Sequence, residues 1–143
     1  MGEEFMEILL VEDNEGDVEL THAAFEEANI PNQLNVVSDG EEALDYLYQK
    51  GIHGDKNRPH VVLLDLNLPK INGRELLQII KKDEKLRSIP VIVLTSSEAE
   101  KDILESYNLH ANCYIVKPVE WQKFVETIKS LNCFWNNIVN LPA

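Results

Sequence analysis

The sequence predicts a doubly wound α/β domain. Two observations carry that reading. Five short apolar runs recur along the chain, the most aliphatic being Met6–Val11, Val61–Leu64 and Pro90–Leu94. Between them lie segments whose apolar residues repeat at helical spacing. Runs this short and this aliphatic suit central parallel strands covered on both faces. Alternation of strand and helix then implies a parallel sheet with helices on both sides, joined by right-handed crossovers. A length of 143 residues fits one such domain.

The elements follow in order. Met6-Glu7-Ile8-Leu9-Leu10-Val11 is the first strand. Val18, Thr21, Ala24, Phe25 and Ala28 mark the first helix. Gln33–Val37 is a weaker strand. Asp39-Gly40 turns into the second helix, which carries Ala43, Leu44, Leu47 and Tyr48. Gly51 to Pro59 is the single long loop and reads as exposed. Val61–Leu64 follows as the third strand, and Asn72-Gly73 opens a third helix bearing Leu76, Leu77 and Ile80. After the fourth strand, Ser96-Ser97 with Glu98 and Glu100 caps a fourth helix around Ala99, Ile103 and Tyr107. Cys113–Val116 is the last strand, with Cys113 as a small apolar filler. The fifth helix begins with Trp121, Phe124, Val125 and Ile128, and its apolar spacing runs on through Leu131, Phe134, Trp135, Ile138 and Val139. That tail either packs back on the domain or forms a partner surface. Trp121, Phe134 and Trp135 are the interface candidates, since aromatics anchor interfaces. The expectation is a homodimer through the last strand and helix.

Composition narrows the partners. Lysine and arginine number 13 against 25 aspartates and glutamates, a formal net charge of −12. Nucleic acid and anionic membrane repel such a chain. No apolar run approaches the roughly 18 residues of a membrane span, and Met1-Gly2-Glu3-Glu4-Phe5 lacks the basic start of a secretory signal. Cys113 and Cys133 have no metal-type spacing and make no disulfide framework, and His22, His53, His60 and His110 are scattered. A cytoplasmic protein is expected.

Ligands of open parallel sheets bind beyond the carboxyl ends of the strands, where strand order reverses. Glu12 and Asp13 follow the first strand, Asp65 the third, Thr95 the fourth and Lys117 the fifth. Three acids, a hydroxyl and an amine thus share one rim. Taken singly, Asp65 is as readily a turn former, Glu12 and Asp13 helix-dipole partners, Thr95 a cap and Lys117 a solvated charge. Together they are costly, because two unit charges ~4 Å apart interact by about 4 kcal/mol at an effective dielectric of 20. Such a cluster holds protons or binds a cation, and an all-oxygen set suits Mg²⁺.

These strings resemble the receiver domain of two-component response regulators, the CheY-like family. Leu9-Leu10-Val11-Glu12-Asp13-Asn14 resembles its acidic-pair motif. Leu63-Leu64-Asp65-Leu66-Asn67-Leu68-Pro69, followed by Asn72-Gly73, resembles its phosphoacceptor motif. Val93-Leu94-Thr95-Ser96 and Tyr114-Ile115-Val116-Lys117-Pro118 resemble its hydroxyl and lysine motifs. The resemblance implies a flavodoxin-like five-stranded parallel sheet of order 2-1-3-4-5 flanked by five helices. It also implies a phosphorylation switch. Asp65 would accept a phosphoryl group from a sensor histidine kinase. Glu12, Asp13, Asp65 and the carbonyl of Asn67 would hold Mg²⁺. Thr95 and Lys117 would meet the phosphoryl group, and Tyr114, otherwise a half-buried strand aromatic, would repack with it. No enzymatic turnover beyond slow self-dephosphorylation is implied.

Residues 1–143 read as a single receiver domain with an extended C-terminal helix and no output domain. Asn67-Leu68-Pro69-Lys70, Ser97-Glu98-Ala99-Glu100 and Ala111-Asn112-Cys113-Tyr114-Ile115, with the middle loop and the aromatic tail, resemble the stand-alone regulators paired with bacterial phytochrome kinases. The stretch from Gln49 to Arg58 departs from a compact receiver by its length. Two rivals share the layout. An FMN binder needs a hydroxyl- and glycine-rich loop after the first strand, where this chain has Glu12-Asp13-Asn14-Glu15. An aspartyl-phosphate phosphatase of the dehalogenase type needs a second Asp two positions after the nucleophile, where this chain has Asn67.

Overall fold

The structure, a computed structural model, describes residues 6–51, 58–66, 72–95, 99, 113–116 and 120–139; of 113 and 131–139 it describes the backbone only. The chain runs β1 (Met6–Val11), α1 (Glu15–Glu27), β2 (Asn32–Val37), α2 (Gly40–Leu47), β3 (Val61–Asp65), α3 (Gly73–Lys82), β4 (Val91–Thr95), β5 (Cys113–Val116) and α4 (Trp121–Val139). The five strands form one sheet of order β2-β1-β3-β4-β5, and every pairing is parallel. The expected fold is therefore the observed one. Of the five expected helices, four are present among the described residues. The segment around Ile103 and Tyr107 and its Ser96-Ser97 cap lie outside them, and Ala99 alone is described there, as helical.

The aliphatic runs form strands because each is buried twice. Leu9, Val11, Val62, Leu64, Val91 and Val93 point into a layer with Ala43, Tyr46 and Leu47 of α2 and Leu76, Leu77 and Ile80 of α3. Their neighbours Met6, Ile8, Leu10, Val61, Leu63 and Ile92 point the other way, onto Ala24 and Phe25 of α1 and Phe124, Val125 and Ile128 of α4. Successive strand side chains alternate faces, so a strand between two helical layers must be apolar at every position. Burying one Leu, Ile or Val side chain stabilises by about 1.5–3 kcal/mol, so these strands hold the sheet rigid. β2 is an edge strand and reads differently. It carries Asn32, Gln33 and Asn35, and Val36 is 43% exposed.

Helix starts are fixed by side-chain caps. Asn14 Oδ1 accepts the Asp17 N–H at 2.9 Å, Asp39 Oδ1 the Glu42 N–H at 2.8 Å and Asn72 Oδ1 the Glu75 N–H at 2.9 Å. Each satisfies a donor that the first helical turn leaves unpaired. Asn29 and Gln49, both at φ 58°, reverse the chain just after α1 and α2. Trp121 is half-buried against the α1–α4 layer. α4 continues as helix to Val139, so the long final helix expected from the spacing is present in the backbone.

α2 and α3 are tied together away from the acidic rim. Tyr48 Oη donates to Asp83 Oδ2 at 2.6 Å, and Asp83 Oδ1 also accepts the backbone N–H groups of Lys85 and Leu86. The Tyr48 bond holds the Asp83 carboxyl below its usual pKa and holds the phenol above its own. Lys81 Nζ donates to the carbonyls of Arg87 and Ile89 at 3.1 and 2.7 Å, pinning the turn that leads into β4, and burial pushes its ammonium pKa down.

A depressed carboxyl pKa stabilises the fold above the unfolded value near 3.9, and that contribution is lost as pH falls through the folded value. Tyr48→Phe is therefore expected to lower urea stability most at about pH 7, with the gap between mutant and wild type narrowing as the pH falls below about 3.9. A constant gap across that range refutes the role given to the Tyr48–Asp83 bond.

Candidate functional site

The topology makes the site. β1 has β2 on one side and β3 on the other, so the crossovers leave it in opposite directions and open a crevice at its carboxyl end. Val11 lies beside Leu64, so one step along each strand brings Glu12 to the level of Asp65. The residues beyond the ladder remain held by the sheet. The Glu12 N–H donates to the Val37 carbonyl at 3.0 Å, and the Leu66 N–H to the Leu94 carbonyl at 3.0 Å.

Glu12, Asp13 and Asp65 each place a carboxylate oxygen so that all three lie within 4.8 Å of one another. Glu12 is 2% exposed and Asp65 4%, whereas Asp13 faces solvent. Among the described residues, two desolvated carboxylates and a third at the opening form an incomplete shell of hard oxygen donors. The donor chemistry fits a small divalent cation, which takes one or two carboxylates and keeps waters for the remaining positions. Thr95 closes β4 next to this point and is fully buried. Asp65 and Thr95 are the last residues of their strands, one position earlier than their expected place beyond the strand. Tyr114 pairs with Val93 in the sheet and is half-buried against the α2–α3 layer. Asn67 and Lys117 lie outside the described residues, as do the side chains of Phe134 and Trp135.

Two features of the rim escape sequence reading. The Asn14 N–H donates to Glu12 Oε1 at 3.2 Å, so the residue that caps α1 also holds one of the acids. Gly73 is more than a helix opener. A Cβ there would stand 2.5 Å from Leu66 Cα and 2.7 Å from the Asp65 carbonyl oxygen. α3 therefore starts in direct backbone contact with the end of β3, and the Gly73 N–H donates to the Leu66 carbonyl at 3.2 Å. The Asn-x-x-Asp string at 14–17 is a visible capping signal; the Gly73 contact is long-range and has none. Beside the acids, Glu15, Val18, Glu19, Val36 and Ser38 join Glu12 and Asp13 around an open cleft of about 360 Å³.

The response regulator receiver domain signature matches residues 8–129. The chain belongs to that family. A curated relative, response regulator Rcp1 of Synechocystis sp., is 41% identical over 136 residues, covering 95% of this chain and 92% of its own. Among solved receivers, the bacteriophytochrome response regulator RtBRR is 48% identical with a TM-score of 0.83, covering 92% of this chain and 81% of its own. The phosphorylated cyanobacterial phytochrome response regulator RcpA is 43% identical with a TM-score of 0.80, covering 98% and 100%. The Mn(2+)-bound form of Rcp1 is 40% identical with a TM-score of 0.78, covering 96% and 99%. The chain is thus a response regulator of phosphorelay signalling, similar to phytochrome response regulators, and its acidic triad has the composition of a receiver's divalent-metal site.

Because the two atoms nearest the missing Gly73 side chain, Leu66 Cα and the Asp65 carbonyl oxygen, are backbone, Gly73→Ala must push α3 off the end of β3. The expected cost is about 1–3 kcal/mol in urea denaturation, the usual penalty of overpacking. Wild-type stability in that variant refutes the close approach.

Proposed function

We propose that this receiver is phosphorylated on Asp65 by a sensor histidine kinase in the cytoplasm and signals by contact. The observation that carries the reading is the meeting of the three carboxylates at the strand-order reversal, with Asp65 at the end of the central strand. An Asp65 oxygen attacks the phosphorus of a phosphohistidine. The P–N bond breaks, its electron pair returns to the imidazole, and an acyl phosphate forms. Glu12, Asp13 and Asp65, with the Asn67 carbonyl, would hold Mg²⁺, which when bound neutralises charge on the transferring group. Lys117 supplies a compact positive charge to a phosphoryl oxygen, and the Thr95 hydroxyl donates to another. The chain's task is mainly positioning and charge neutralisation, so little turnover is expected beyond slow loss of the phosphoryl group.

The new dianion then biases a two-state equilibrium. Thr95 is drawn to the phosphoryl group and Tyr114, two strands from Asp65, repacks. Similarity to phytochrome response regulators supports a bacterial phytochrome as the kinase. Continuation of α4 to Val139 supports a homodimer through β5 and α4, with Trp121, Phe134 and Trp135 as anchors. The dehalogenase-type phosphatase has no support from the family match, and Asn67 lacks the acid that such an enzyme requires.

Incubation with acetyl phosphate is expected to add one phosphoryl group per chain by intact mass, only with Mg²⁺ present. Asp65→Asn abolishes labelling, and Lys117→Ala abolishes the response to it. Continued turnover of phosphate esters, or normal labelling of Asp65→Asn, overturns the assignment. Sedimentation is expected to show a dimer, and a monomer at high concentration in both phosphorylation states sinks the homodimer.

A further inference from the structure

We infer that Asn14 is a positioning residue for the metal-binding carboxylates, acting through the N-cap of α1. This rests on the acidic triad being a divalent-metal site. Asn14 makes three bonds that join the helix start to the acid. Its Oδ1 accepts the Asp17 N–H at 2.9 Å, its carbonyl accepts the Val18 N–H at 3.1 Å, and its own N–H donates to Glu12 Oε1 at 3.2 Å. Its backbone is extended, at φ −96° and ψ 116°, as an N-cap requires. With the first turn of α1 locked onto its side chain and carbonyl, the direction of the Asn14 N–H is set. That N–H in turn fixes one oxygen of a carboxylate that is 2% exposed.

The consequence is electrostatic as well as geometric. The Glu12 carboxylate is held out of water and close to Asp13 and Asp65. A backbone N–H aimed at an ionised oxygen is a charge-assisted bond, which partly replaces the lost hydration. Without the cap, the backbone at Asn14 samples other directions, and the carboxylate is free to turn from its neighbours. Asn14 thus does for Glu12 what outer partners do for metal-ligating side chains generally, although no atom of Asn14 need touch the ion. Gly16 belongs to the same device, because a Cβ there would come within 3.2 Å of Asn14 Oδ1 and crowd the cap.

The test separates positioning from stability. Mg²⁺ alone is titrated by calorimetry into wild type, Asn14→Ala, Asn14→Ser and Asp39→Ala, and amide exchange of Asn14 and Asp17 is followed without metal. Asn14→Ala is expected to weaken Mg²⁺ binding about tenfold and to deprotect both amides. Asn14→Ser, which restores a capping oxygen, recovers most of the affinity. Asp39→Ala removes the corresponding cap of α2 and lowers stability similarly, yet leaves the Mg²⁺ affinity unchanged. Equal Mg²⁺ affinity in wild type and Asn14→Ala overturns the inference, as does equal weakening in Asp39→Ala. Absence of saturable Mg²⁺ binding in wild type fails the metal-site reading itself, and the inference falls with it.

Discussion

Three carboxylates pressed together at the end of a parallel sheet are the constraint around which this molecule is arranged. Glu12 and Asp65 are almost wholly withdrawn from water and Asp13 stands at the opening. Charges a few ångströms apart repel by several kcal/mol even at a generous effective dielectric. A chain left to itself would relieve that repulsion by turning the acids outward. Here their attachment to strand ends that the core holds in place limits how far they can separate. A divalent cation bound among them would relieve the repulsion.

What resists the repulsion is burial on both sheet faces. β1 and β3 carry apolar side chains at nearly every position, packed alternately on α2–α3 and on α1–α4. Moving Asp65 away from Glu12 means sliding β3 against β1, which would break the Val11–Leu64 register and both layers at once. Local devices finish the arrangement. The Asn14 cap aims an N–H at Glu12, and Gly73 lets the backbone of α3 rest on the end of β3. Neither would matter on a flexible strand; on a rigid one each decides where an oxygen sits.

Legibility in the sequence follows from how local each cause is. The central strands β1, β3 and β4 are readable because burial on two faces forces an unbroken aliphatic run, and no other described element has one. β2 is faint because an edge strand tolerates Asn32, Gln33 and Asn35, and its start at Asn32 is one residue earlier than the pattern suggests. The caps at Asp39 and Asn72 are readable because cap and helix adjoin. By contrast, the Tyr48–Asp83 bond joins residues 35 positions apart, and the Gly73 contact depends on where β3 ends in space. No spacing rule anticipates either. Glu12, Asp13 and Asp65 were visible as a set only because parallel topology sends every strand's carboxyl end to one side. The roles given to Asn67 and Lys117 come instead from family resemblance, since neither residue type is diagnostic alone.

The same arrangement accounts for how a small chemical event can be felt at a distance. On the function proposed above, the acyl phosphate would carry two negative charges where the Asp65 carboxylate carried one, in a crevice that still holds the carboxylates of Glu12 and Asp13. Such a load cannot be absorbed by β1 and β3, whose register is locked, nor easily by α2 and α3, which Tyr48, Asp83 and Lys81 tie at their far ends. The remaining compliance lies toward β4 and β5. There Thr95 is buried beside Asp65, and Tyr114 is only half-buried at the margin of the α2–α3 layer. On that function, a hydroxyl that would gain a strong acceptor and a half-buried aromatic ring would form the path out of the site. Rigidity on one side of the sheet would thus give such a switch its direction, because strain introduced at a fixed point is released where the packing is incomplete.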